Sequence, residues 1–164
     1  MNVVPATPEH LDAIMKIIDA AREIMRTNGN RTQWINGYPD KDTILHDIRS
    51  GYGYVCLNSD EIAGYFCFIQ GNDPEPNYSV IEEGKWINNE PYGVIHRLAS
   101  TGKVKGVAKA CFDYCFSLIN NIKVDTNHNN IPMQNFFKKY GFSYCGVIYV
   151  SDGSPRDAFQ MKIS

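Results

Sequence analysis

Residues 96–115 read HRLASTGKVKGVAKACFDYC. A short apolar strand, VIHRLAS, leads into a loop holding Gly102 and Gly106 and then directly into a helix from about Val104 to Ile119, with Val107, Cys111, Cys115 and Leu118 on one face. The first amides of a helix lack intrahelical partners and carry partial positive charge, so an anion is stabilised there. Glycine allows close approach to the backbone, and Lys103, Lys105 and Lys109 add charge. The stretch is not a Walker A loop, because G-x-x-x-x-G-K-S/T is absent. It also lacks the G-x-G-x-x-G and following acidic residue of a dinucleotide fingerprint. From these residues alone two readings stay open: a loop that grips a phosphate, or a tight turn with solvated lysines.

Working outward, NVVPA (residues 2–6) reads as a strand, and TPEH supplies the start of a helix with Thr7 as N-cap and Pro8 in the first turn. Leu11, Ile14, Met15 and Ile18, with Ala21 or Arg22, keep helical spacing through residue 26. TNGNRTQWINGYPDKD breaks the period, and DTILHDIRSG predicts a second short helix with Ile44, Leu45 and Ile48 buried. YGYVCLN and EIAGYFCFIQ form a hairpin across Asn58, Ser59 and Asp60. Residues 71–93 contain Pro74, Pro76 and Pro91 and read as a long loop with a helical turn around Tyr78 to Glu83. After the 94–119 strand and helix come a strand (IKVDTN), a helix (IPMQNFFKKYG), a strand (YCGVIYV), a DGSPR turn and a last strand (AFQMKI). The order βααβββαβαββ predicts an α/β (α+β mixed) fold, a central mixed, largely antiparallel sheet with helices on both faces.

The chain has 164 residues, 43% of them hydrophobic, which fits one domain spanning 1–164. Sixteen basic residues stand against 18 acidic ones, with no block of like charge, so electrostatics gives no support for a nucleic-acid partner. Cys56, Cys67, Cys111, Cys115 and Cys145 are odd in number and lie in apolar runs, as expected of small core residues in a reducing compartment. Cys111 and Cys115 are one helical turn apart, but no second pair with ligand spacing accompanies them, so no metal site is expected. The N-terminus lacks the form of a signal peptide, and no apolar run approaches the roughly 18 residues of a membrane span. A cytoplasmic protein with no membrane partner is therefore expected.

Lys103-Val104-Lys105-Gly106-Val107-Ala108 resembles the coenzyme A pyrophosphate loop of the GNAT superfamily of N-acetyltransferases, Q/R-x-x-G-x-G/A, with lysine in the first position as a departure that keeps the charge. About 27 residues on, NIPMQNFFKKYGF resembles the superfamily's N-x-x-A-x-x-x-Y-x-x-x-G-F helix, matching it at Asn130, Gly141 and Phe142. The succession of elements is similar over nearly the whole chain. The resemblance implies a GNAT-like fold in which two parallel strands, VIHRLAS and IKVDTN, splay apart to admit acetyl-CoA. The pantetheine arm would add to the first strand near Leu98 and Ala99. Amides from Val104 through Ala108 would face the pyrophosphate, and Asn130 would bond the pantetheine side.

The resemblance further implies direct attack of a primary amine, on a small molecule or a peptide, on the thioester, with an amide near Leu98 stabilising the oxyanion. Many relatives place a tyrosine where Phe137 stands here, and phenylalanine cannot donate a proton. Tyr140, three residues on, is about 60° short of a full turn and a poor substitute. An imidazole has an ordinary pKa of about 6.5, so His96 is the first candidate base, against a histidine merely hydrogen-bonded within the sheet. Glu82 and Glu83, acting through water, are alternatives to a solvated pair. Gln33, Trp34 and Tyr38, with Tyr78 and Trp86, are candidate walls of an acceptor pocket or, equally, caps over the core. Asp152, Ser154 and Arg156 read first as a hairpin turn and second as a substrate contact, and His128 as a polar loop residue. Phe137 keeps a non-catalytic acyl-CoA-binding module or sensor in view, and a nucleotide-phosphate binding domain is the remaining alternative. Oligomeric state is open, a homodimer being the default.

Overall fold

A computed structural model describes all 164 residues. The strands are β1 (Asn2–Pro5), β2 (Gly53–Asn58), β3 (Glu61–Gly71), β4 (Tyr92–Ser100), β5 (Asn121–Thr126), β6 (Ser143–Tyr149) and β7 (Pro155–Lys162). The helices are α1 (Leu11–Thr27), α2 (Lys41–Arg49), α3 (Val107–Leu118) and α4 (Ile131–Tyr140), with short 3-10 turns at Pro8–His10 and Pro76–Ser79. The strands form one sheet in the order β1-β2-β3-β4-β5-β7-β6. Every pairing is antiparallel except that of β4 with β5. This is the mixed, largely antiparallel sheet that the element order predicts.

Alternation along the strands assigns the two faces. Phe66, Phe68, Ile95 and Val124 pack with Val107, Cys111, Phe112 and Cys115 of α3 and with Phe137 of α4. Val55 and Tyr65 face the other way, against Ile14, Ile17, Ile18 and Ala21 of α1 and Ile44 and Ile48 of α2. Ile17 belongs to the buried stripe, whereas Arg22 does not pack in the core but reaches back over the following loop. All five cysteines are buried and free, and burial pushes the Cys56 and Cys67 thiols up to about 12, so they stay protonated and inert.

Two elements near the site begin elsewhere than the sequence expectation placed them. Helix α3 starts at Val107 rather than near Val104, because Gly106 takes a left-handed conformation (φ 93°) that holds Lys103 to Lys105 outside the helix. The helical turn in the long loop falls at Pro76–Ser79, since Pro76 fits its first position, and not over residues 78–83. Glu82 instead bridges to β6, exchanging backbone hydrogen bonds of 2.9 and 2.8 Å with Val147. A Cβ on Gly84 would fall onto the Cys145 carbonyl, so only glycine lets the two chains approach this closely.

The long loop is a wall of the fold. Tyr78 is buried with Tyr92, Val94, Ile148 and Ala158, and Trp86 packs over it at 5.0 Å between ring centroids while its indole N–H donates to the Tyr78 carbonyl. Val94 and Ile95 point to opposite faces, so this loop covers the α1 face where α1 and α2 leave off. Beneath it the Lys123 ammonium lies 4.4 Å from the Trp86 ring and 4.2 Å from the Tyr92 ring, and burial lowers its pKa.

Candidate active site

β4 and β5 pair at only two positions, Gly93 with Ile122 and Val94 with Lys123. Beyond them the strands separate, and a cavity of about 550 Å³ opens at the gap. His96 and Asp125 each stand two residues past the last pair, so they share one face of the sheet on opposite sides of the opening, and both line the cavity. Glu75, from the long loop, closes the group: its Oε2 lies 3.7 Å from His96 Nε2, and its Oε1 accepts from Asn77 Nδ2 at 2.9 Å.

The two carboxyls are tuned in opposite directions. Burial alone would raise the Glu75 pKa, but the His96 imidazole and the Asn77 amide outweigh it and hold the carboxyl below its usual range. A depressed folded pKa means that Glu75 contributes stability above the ordinary carboxyl pKa of about 4.3, and that this is lost as pH falls through the lower folded value. Asp125 is different: burial dominates and raises its pKa, although His96 and the Tyr78 hydroxyl, which donates to Oδ2 at 2.6 Å, both favour the charged form.

A bulge in β4 fixes what comes next. Tyr65 opposes Ala99 and Cys67 opposes His96, so Phe66 faces both Arg97 and Leu98, and Arg97 adopts φ 53°. The extra residue swings the Arg97 side chain to the α2 face, where Nε and Nη2 donate to the two oxygens of Asp47 at 2.8 and 2.6 Å. The Tyr65 hydroxyl donates to the same carboxylate at 2.8 Å, and Arg97 Nη1 donates to the Tyr38 hydroxyl at 2.9 Å. Arg22 fastens the loop from below by donating to the carbonyls of Gly37, Tyr38 and Pro39. Its other end is tied across the gap, with Asn130 and Asn30 both donating to Gln33 Oε1 and Asn127 donating to Thr32 Oγ1.

Of the residues expected at the site, His96, Leu98, Phe137, Gln33, Trp34 and Tyr38 line the cavity. Ala99 is buried against the α1 cluster. Glu82 and Glu83 are exposed and do not line it, because the Val147 bridge holds Glu82 at β6. Tyr78 is a core residue with the half-buried Trp86 packed against it, and only the Tyr78 hydroxyl reaches a cavity residue, Asp125. The Asn130 amide is engaged within the protein, capping α4 through the Met133 amide and bonding Gln33. Tyr140 points away, its hydroxyl donating to Asp113 on the surface at 2.7 Å. Glu75, Asp125, Arg97 and Arg156, all cavity-lining, were not singled out as site residues by motif, apart from Arg156 as a second reading. The available signal was a charge at an inward strand position, as in IKVDTN.

The loop before α3 has the character of an anion site. The amides of Val104, Lys105 and Gly106 donate to no backbone or side-chain acceptor, while those of Gly102 and Lys103 bond the Ser100 and Thr101 hydroxyls. They precede the unpaired first turn of α3. The Thr126 Oγ1, buried on the cavity wall, has no hydrogen-bond partner either. These residues fit coenzyme A: Val104 to Gly106 would hold its diphosphate, and the separated strand edge and Thr126 its amide-bearing arm. A Cβ at Gly106 meets nothing within 4 Å, so Gly106→Ala strains the left-handed backbone without a clash. The free loop of the variant relaxes out of that conformation, and restoring it on binding costs roughly 1–2 kcal/mol, so coenzyme A binding is expected to weaken by about 5- to 30-fold, read by calorimetry. An unchanged affinity would move the diphosphate elsewhere.

The sequence profile of the acetyltransferase (GNAT) family matches residues 16–142, which span the cavity lining from Met25 to Phe137. A GNAT-family acetyltransferase from Streptococcus agalactiae 2603 is similar at 31% identity, covering 99% of this chain and 95% of that one with a TM-score of 0.88. One from Listeria monocytogenes 4b F2365, at 17% identity, covers 99% and 94% with a TM-score of 0.70. Arabidopsis thaliana Naa50, solved in complex with the bisubstrate analogue CoA-Ac-MVNAL, shares the fold at 14% identity, 99% and 98% coverage and a TM-score of 0.62. No curated protein sequence matches. The separated β4 and β5 edges, the amide loop before α3 and the family match lead to one conclusion: this chain belongs to the GNAT family of acetyltransferases, enzymes that use acetyl-CoA.

Proposed function

We propose that the chain is an N-acetyltransferase that moves an acetyl group to a primary amine by direct attack, with His96 as the group that takes the amine's proton. The observation that carries this reading is the placement of His96 and Asp125 on either side of the opening between β4 and β5, with Glu75 beside the imidazole. Bound acetyl-CoA supplies a thioester carbonyl and a thiolate leaving group. Glu75 orients the imidazole, while Asp125, on the far side, offers a second carboxyl to an incoming ammonium. The incoming ammonium gives one proton to His96, which passes it to solvent; as the neutral amine then forms the new C–N bond the C–S bond breaks, and the second proton leaves the nitrogen for the thiolate.

Phe137 lines the cavity where a phenol would serve the leaving group, and it packs on Phe112, Phe142 and Phe159. Its role here is to exclude water. A thiol pKa of about 8.5 makes an unassisted thiolate a tolerable leaving group. The test is a panel of primary amines incubated with acetyl-CoA, with free thiol and acetylated product both measured. Stoichiometric N-acetyl product supports the proposal. Thiol release at the same rate with and without amine would mean hydrolysis and would contradict it.

A further inference from the structure

The charged lining of the cavity is asymmetric, and it bears on which amine the proposed N-acetylation serves. Glu75 and Asp125 stand on either side of His96, with their hydrogen bonds coming from Asn77 and Tyr78. Arg97 is neutralised by Asp47. Arg156, near the start of β7, is a cation of a different kind. It lines the same cavity, no carboxylate lies within ion-pair distance, and its one hydrogen bond runs from Nη1 to the adjacent Pro155 carbonyl at 2.9 Å. Its neighbour across the turn, Asp152, is exposed and accepts from the Ser154 amide at 2.9 Å.

A guanidinium matches a carboxylate in a planar, two-bonded geometry. A diamine would set its second cation against Arg156 as a like charge, and a plain alkylamine would leave Arg156 without a partner. Part of the cavity's roughly 550 Å³ must take the acetyl-bearing arm, so the part of the acceptor that enters it is small. We propose that the acceptor is a zwitterionic primary amine, its amine end received beside Glu75, His96 and Asp125 and its carboxylate held by Arg156. This rests on the N-acetyl transfer reading above and adds the substrate class.

The test compares glycine, β-alanine, 4-aminobutyrate and 6-aminohexanoate with the alkylamine and the diamine of matching length, on wild type, Arg156→Ala and Arg156→Glu. For at least one length the amino acid is expected to exceed both counterparts in kcat/KM by about tenfold or more. Arg156→Ala should bring the ratio of amino acid to alkylamine down towards unity, and Arg156→Glu should turn the preference to the diamine. A diamine or alkylamine preference at every length, or an amino-acid preference that survives both substitutions, overturns the proposal. The same ligands titrated calorimetrically into the coenzyme A complex read the preference without turnover. Absence of acetyl product from every amine therefore strikes at N-acetyl transfer, whereas absence of an Arg156-dependent preference in both assays strikes at the zwitterion alone.

Discussion

His96→Ala is expected to lower kcat by about 10²- to 10⁴-fold, the usual contribution of a positioned proton-transfer group, while affinity for coenzyme A stays within a few-fold. The reason is positional. His96 is two residues beyond the last β4–β5 pair, where the strands separate, so truncation removes the imidazole from the opening without disturbing a backbone pairing. Glu75→Gln keeps the shape of the loop and removes the charge beside His96 Nε2, so a smaller loss is expected, with a shift in the pH dependence of kcat. Steady-state rates across pH, with coenzyme A titrations on the same variants, check both. An equal rate for His96→Ala at every pH would remove the base assignment and leave solvent to take the proton.

Asp47→Ala is expected to cost about 3–5 kcal/mol of stability, the typical price of leaving a buried partner charge unpaired. Asp47 accepts from Arg97 twice and from Tyr65, and the Asp47 and Arg97 side chains are 3% and 15% exposed. Removing it strands a guanidinium and a fully buried phenol together. For a chain of this size each kcal/mol corresponds to about 2–4 °C, so a fall in Tm on the order of 10 °C is expected. Arg97→Ala should be less harmful in the Asp47→Ala background than in wild type, because the unpaired charge is then gone. A loss below about 1 kcal/mol for Asp47→Ala would mean that water reaches the pair and that it behaves as a surface bridge.

The functional side of this network runs through Tyr38. Its hydroxyl accepts from Arg97 while Arg22 holds the carbonyls around it, so the loop between α1 and α2 is fixed to both α1 and the β4 bulge. Asp47 is a positioning residue in this sense, one hydrogen bond from the cavity-lining Arg97 and two from Tyr38. Its loss should raise KM for the amine at temperatures where the variant is still folded.

The layout of the sheet was legible because its signals are local. Turn residues marked the hairpin at Asn58 to Asp60, and helical spacing marked α1, α3 and α4. The glycine loop before α3 was legible for the same reason, although the left-handed Gly106 placed the start of the helix three residues later than apolar spacing implied. The chemistry was harder to read because it depends on register. Nothing in VIHRLAS announces that Arg97 sits on a bulge, and so nothing announces that it turns towards Asp47, fifty residues earlier in the chain. Glu75 lay between two prolines in a stretch that reads as loop, and the visually obvious pair Glu82 and Glu83 was held away by a backbone bridge to β6. Tyr78 and Trp86 show the converse: aromatic residues in an irregular segment cover the part of one sheet face where Val94, Ile148 and Ala158 lie.

Acetyl transfer as proposed requires the gap between β4 and β5 to receive the acetyl-bearing arm while the amides of Val104 to Gly106 hold a diphosphate. A crystal structure of the coenzyme A complex tests this most directly. The expected result is the diphosphate against those three amides and the arm along β4 near Leu98, its sulfur directed to the opening flanked by His96 and Asp125. Coenzyme A bound at any other surface, with that gap empty, would contradict it.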